Sequence, residues 1–177
     1  AAARAGKGTY GMILREETDS DIEAIGRVTA AAFENHPYSR NTEPFIIRAL
    51  RAAGALSLSL VAEVEGRVVG HVAFSPVEIA GRRCGWYGLG PVSVLPGLQR
   101  QGIGKSLILE GLSRLKRAGA KGCALVGDPE YYRRLGFRNL PELIHEGIPQ
   151  QYFLALPFGE DRAEGVAVFH EGFRATG

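Results

Sequence analysis

The sequence predicts an α/β (α+β) domain built on a mixed, mostly antiparallel central sheet with helices on both faces. Three observations lead there. Two amphipathic helical stretches come early, three β segments joined by short links follow, and a longer amphipathic helix then leads into a short apolar strand. Short links keep consecutive strands adjacent and antiparallel.

Residues 12–16 form the first strand. Thr18, Asp19, Ser20 and Asp21 follow with side-chain oxygens suited to capping a helix. Ile22, Ile25, Val28 and Phe33 then recur at helical spacing until Asn35-His36-Pro37. A second helix covers residues 43–53, with Ile46, Ile47 and Leu50 on one face and Gly54 as its stop. Residues 58–64 and 68–79 are β segments around a Glu65-Gly66 turn, and in the second Val72 and Phe74 alternate with His71, Ala73 and Ser75. A turn at residues 80–83 precedes a strand over residues 85–94. Residues 102–118 are helical, with Leu107, Ile108, Leu112 and Leu115 as the apolar stripe. Residues 123–126 are a short buried strand and residues 129–135 a short helix closed by Gly136. Residues 152–156 and 166–169 read as the last strands.

The 177 residues suit one domain over residues 12–177. Residues 1–11 are small, basic and aperiodic, and read as an upstream tail or an expression remnant, with Met12 as the native start. A net charge of +2 gives no argument for a nucleic-acid partner. No apolar run approaches the ~20 residues of a membrane span. Cys84 and Cys123 do not make a disulfide framework, and the four histidines are scattered without metal-ligand spacing. The expectation is a reduced, cytoplasmic protein without metal.

The chemistry concentrates where a strand, Val92-Ser93-Val94, runs through a loop into an amphipathic helix at Gln99-Arg100-Gln101-Gly102-Ile103-Gly104-Lys105. The first N–H groups of a helix lack internal partners and carry the positive end of its dipole, so such a turn binds phosphate. Gly102 and Gly104 let a ligand approach the backbone, and Arg100 and Lys105 add charge. A dinucleotide fingerprint would need glycine where Leu107 stands. A P-loop would need glycine where Gln99 stands, although Gly104-Lys105-Ser106 fits its end. The pattern Q/R-x-x-G-x-G/A fits at every position from Gln99 to Gly104.

On these residues the chain resembles the GNAT superfamily of N-acetyltransferases, roughly from Met12 to Phe137. The resemblance implies that the loop binds the pyrophosphate of coenzyme A and that residues 92–94 pair their backbone with its pantetheine arm. Gly88-Leu89-Gly90-Pro91 places glycines and a proline inside a strand, where they mark a bulge. In the family such a bulge opens the slot for the acetyl thioester. Tyr131-Tyr132-Arg133-Arg134-Leu135-Gly136-Phe137 resembles a second family signature, with Tyr132 at the tyrosine that serves as general acid toward the coenzyme sulfur. The alternative is a half-buried core aromatic. Where many members carry an asparagine, this chain has Gly127-Asp128-Pro129-Glu130, with Asp128 placed to cap the helix. This Asp-Pro-x-Tyr-Tyr form looks like a predicted N-acetyltransferase branch.

Some members carry a glutamate base on the strand before the loop; here that strand offers Ser93. Glu34, His36 and Glu78 are the other candidates, each with an ordinary surface reading beside it. His71 and Ser75 share one strand face and are candidates to line the acceptor side. Tyr38 and Arg40 lie in the loop expected to meet the acceptor, a small-molecule or peptide amine. The leading expectation is acetyl transfer from acetyl-CoA to an amine. A coenzyme-binding module without transfer and a P-loop hydrolase are the competitors. Monomer and homodimer both remain open.

Overall fold

The computed structural model describes residues 11–160 and 162–177. Residues 1–10, most of the expected tail, lie outside the described residues. The chain forms β1 (Ile13–Glu16), α1 (Ile22–Phe33), α2 (Glu43–Ala52), β2 (Leu58–Val64), β3 (Arg67–Ile79) and β4 (Arg82–Val94). It continues through α3 (Ile103–Arg117), β5 (Gly122–Val126), α4 (Pro129–Arg133), β6 (Leu143–Ile144), β7 (Phe153–Pro157) and β8 (Gly165–Phe169). The main path of the sheet is β1-β2-β3-β4-β5-β7, and β8 pairs with the far end of β3 and with β6. All pairings are antiparallel except β4 with β5 and β6 with β8.

The sheet divides two packing layers by strand parity. Val72 and Phe74 of β3 turn toward α3, where Leu107, Ile108, Leu112 and Leu115 complete the larger core. α3 lies close enough that a Cβ at Gly111 would fall 2.2 Å from the Phe74 ring, so only glycine permits this approach. On the opposite face Ile25 of α1 and Ile47 of α2 close over Val61 of β2. A third cluster joins Val77, Trp86 and Ala124 to Phe153, Ala155 and Ala167.

Two expectations are corrected, and one strand has no expectation behind it. β4 begins at Arg82, because the turn is only Ala80-Gly81 and a second register shift between Val77 and Glu78 absorbs the offset. Gly102 is the N-cap of α3 rather than its first residue, since its φ is +88°. The two-residue strand β6 has no alternating run to announce it, and it is held by β8 alone.

Candidate active site

β4 and β5 run side by side only where Trp86, Tyr87 and Gly88 meet Gly122, Cys123 and Ala124. Beyond Gly88 the two strands part, while β5 continues to Val126 against β7. The cause sits in β4. Opposite β3, Phe74 pairs with Leu89 and Val72 with Val92, so Gly90 and Pro91 together face Ala73. This is the expected bulge: proline has no N–H for the ladder, and the extra residue bends the strand. The result is a slot between two parallel strands whose facing backbone groups are left for another partner.

The slot leads to the 99–105 loop. The side-chain amide of Gln99 donates to the Val94 carbonyl at 2.9 Å and ties the loop to the strand end. Arg100 and Gly102 both have positive φ, +62° and +88°, which turns the chain sharply into α3. The Gly102 carbonyl accepts the Ser106 N–H at 2.9 Å as the helix starts. The N–H groups of Ile103, Gly104 and Lys105 belong to the first turn, which carries no acidic residue. A Cβ at Gly104 would meet Val94 and Val92 only at 3.6 and 3.9 Å, so the protein itself leaves room there. Arg100, Gln101 and Lys105 are exposed, Ile103 is buried in the core, and Val92 is half-buried toward α3. Ser93 points the other way, directly opposite His71.

α4 begins as expected: the Asp128 carboxylate accepts the Glu130 N–H at 3.0 Å, and Pro129 occupies the first turn. Tyr132 packs edge-on against Phe137 at 5.8 Å and against Tyr131 at 4.9 Å. A Cβ at Gly127 would lie 2.7 Å from the Tyr132 ring, so the glycine lets the ring lie against the end of β5. Burial first, then the neighbouring Tyr131, Cys123 and Asp128, push the Tyr132 hydroxyl well above the ordinary phenol range. The hydroxyl is therefore protonated at neutral pH. Tyr131 is 38% exposed.

The candidate bases Glu34, His36 and Glu78 are all exposed. His71 and Ser75 do share a face, and both are fully buried. The sequence reading did not connect His71 to Ser59 and Glu17. The Ser59 hydroxyl lies 2.7 Å from His71 Nε2 and also bonds the Glu17 carboxylate, which Arg51 holds in turn at 3.0–3.2 Å. Only the Ser59-x-Val61 parity on a β segment could have hinted at it, because Glu17 arrives from a loop. A separate open cleft of about 510 Å³, bounded by α1, Arg15, Glu63 and Arg67, touches this segment only at Leu95. Among the described residues no group of acidic, His or Cys side chains is arranged to hold a metal ion, and no helix is long and apolar enough to cross a membrane.

Residues 56–139 match the acetyltransferase (GNAT) domain model. The chain is 36% identical over 127 residues to YhbS, an uncharacterized N-acetyltransferase of Escherichia coli, covering 71% of this chain and 73% of that protein. It is 50% identical to a GNAT family acetyltransferase from Brucella melitensis solved in complex with acetyl-CoA, with a TM-score of 0.84 over 93% of this chain and 99% of that one. Escherichia coli YhbS in complex with CoA superposes with a TM-score of 0.87 at 29% identity, covering 98% of each chain.

Proposed function

The chain belongs to the GNAT acetyltransferase family, and from that premise we propose that it moves the acetyl group of acetyl-CoA to a primary amine by direct attack. The observation that carries the proposal is the continuity of the slot between β4 and β5 with the helix N-terminus behind it. The backbone N–H groups of Ile103, Gly104 and Lys105 receive the pyrophosphate, with Arg100, Gln101 and Lys105 around it and Gln99 holding the loop in shape. Residues 92–94 offer β4 backbone to the pantetheine amides, as one strand offers itself to another.

The amine attacks the thioester carbonyl, the C–S bond breaks, and the thiolate takes a proton from the Tyr132 hydroxyl. An ordinary thiol has a pKa of about 8.5 and a phenol about 10, a modest mismatch. Burial raises both when they share one dry slot. A single-domain arrangement over residues 12–177 is part of this reading, and the acceptor is a small-molecule or peptide amine.

The second reading is a coenzyme-binding module that transfers nothing, favoured by Ser93 standing where a strand carboxylate would be. Calorimetric titration with acetyl-CoA, beside ATP with magnesium, tests the shared premise. Saturable acetyl-CoA binding without ATP binding is expected, and its absence would overturn both readings. Acetyl-CoA consumption across an amine panel then separates them.

A further inference from the structure

Three buried side-chain polar atoms among the described residues lack a hydrogen-bond partner: His71 Nδ1, Ser75 Oγ and Ser93 Oγ. Buried polar groups are ordinarily paired, so each orphan calls for a reason. These three are not scattered. All lie on the α1/α2 face of β3 and β4, and they flank the bulge, with Ser75 opposite Gly88 on one side and His71 opposite Ser93 on the other. Directly opposed residues on one sheet face bring their side chains within about 5 Å at Cβ.

The other end of His71 is fully specified. Arg51 grips the Glu17 carboxylate, whose other partner is the Ser59 hydroxyl. The Ser59 hydroxyl must then donate to Glu17, and its lone pair accepts from His71 Nε2–H. That leaves a bare lone pair on Nδ1, unpartnered in the resting protein, as is the Ser93 hydroxyl of the residue opposite. Holding one ring nitrogen through a hydroxyl and an anion is how a tautomer is set.

We propose that the Glu17–Ser59–His71 line fixes the His71 Nδ1 lone pair as the acceptor, through the Ser93 hydroxyl, of the proton that the acetyl-transfer adduct must lose. This rests on the transfer reading above. When the amine nitrogen bonds to the thioester carbon, the adduct nitrogen carries a surplus proton. That proton passes to Ser93 Oγ as the Ser93 hydroxyl proton passes to Nδ1, the C–S bond breaks, and the sulfur is protonated by Tyr132. As the site empties, the imidazolium gives up its proton by the same route and the Tyr132 phenolate takes one up, so both groups are reset.

His71 acts through Ser93 and is a positioning residue. The charged groups around it are Glu17 from the loop after β1 and Arg51 from α2; β2 contributes Ser59 and β4 Ser93. α1 covers the face with buried Ile25, Val28 and Thr29, its Glu23 and Arg27 being exposed. Burial first, then Arg51, lower the His71 pKa to about 3, so the lone pair is free at every working pH.

The test compares two kinds of nucleophile in wild-type protein, His71→Gln and Ser93→Ala. Spermidine, phenethylamine and an alanine-initiated peptide give adducts that need a base, while the hydroxylamine adduct, whose nitrogen is much more acidic, can lose its proton to water. The expected loss is roughly 10²-fold in kcat for the amines against no more than about threefold for hydroxylamine, with acetyl-CoA affinity unchanged. Wild-type kcat is expected to be level between pH 7 and 9, and variant kcat to climb with pH as hydroxide takes over. Equal losses with both nucleophiles, or no loss, would overturn the relay. If His71→Gln does not fold, Ser93→Ala carries the same comparison. A wild-type protein that binds acetyl-CoA yet acetylates none of these nucleophiles would overturn the transfer reading and the relay together; one that acetylates them, with variants that match it, would sink the relay alone.

Discussion

The side-chain amide of Gln99 reaches back 2.9 Å to the carbonyl of Val94, closing the loop that links β4 to α3. Loss of that bond in Gln99→Ala is expected to weaken acetyl-CoA binding by about 0.5–1.5 kcal/mol, the ordinary worth of one hydrogen bond. Gln99→Glu should weaken it further, because a carboxylate would face both a carbonyl oxygen and a phosphate. Calorimetry on the two variants checks the order, and a Gln99→Glu variant that binds as well as wild type would contradict it.

Gly102 has open space around its missing Cβ but a φ of +88°. Substitution there strains the backbone at a cost of roughly 1–2 kcal/mol. Gly102→Leu is therefore expected to remain folded by circular dichroism and to lose measurable acetyl-CoA binding. Normal binding by the folded variant would remove the loop from the cofactor site.

Tyr132→Phe removes one hydroxyl and keeps the ring edge-on against Phe137. A fall of roughly 10²-fold in kcat with unchanged acetyl-CoA affinity is expected, since a general acid contributes on that scale. Tyr131→Phe should leave kcat in place. The hydroxyl of Tyr132 is raised by burial, so its protonated form persists past the unfolded value near 10 and no alkaline loss of activity below that pH should trace to it. A rate unchanged in Tyr132→Phe would assign the tyrosine to packing.

Asp21, 5% exposed, accepts two bonds from Arg15 at 2.7 and 2.9 Å and a third from the Thr18 N–H at 2.7 Å. The Arg15 bonds chiefly lower its pKa to about 2, against an unfolded value near 3.9. A depressed carboxylate stabilises the fold above its unfolded pKa and loses that contribution as pH falls toward 2. Asp21→Asn should cost about 2 kcal/mol at pH 7, several degrees in Tm, and should flatten the acid side of the stability curve. Thermal melts from pH 7 to pH 2 measure both, and parallel acid limbs in the two proteins would contradict the assignment.

Legibility in the sequence followed periodicity. α1, α2 and α3 carry apolar stripes at helical spacing, so they could be placed to within a residue or so, and the glycines and proline of residues 88–91 marked the bulge because few other residues tolerate one. The loop was legible because phosphate sites are built from backbone, and glycine spacing records backbone shape. The parity of β3 likewise put His71 and Ser75 on one face. What could not be read was tertiary. Glu17 lies on an irregular link, Ser59 on a strand buried on both sides, and only the pairing of β2 with β3 brings them to His71. β6 has two residues, too few to carry any period.

The parting of β4 and β5 has a meaning for the protein as a material. Strand edges with idle N–H and C=O groups are where sheets accept foreign strands and begin to aggregate. Here the idle groups lie inside the sheet, between two ordered neighbours. A crevice flanked on both sides offers no free outer edge for a foreign strand to extend, while its backbone groups remain adhesive to an amide chain. The fold thereby tolerates a permanent interruption at its centre.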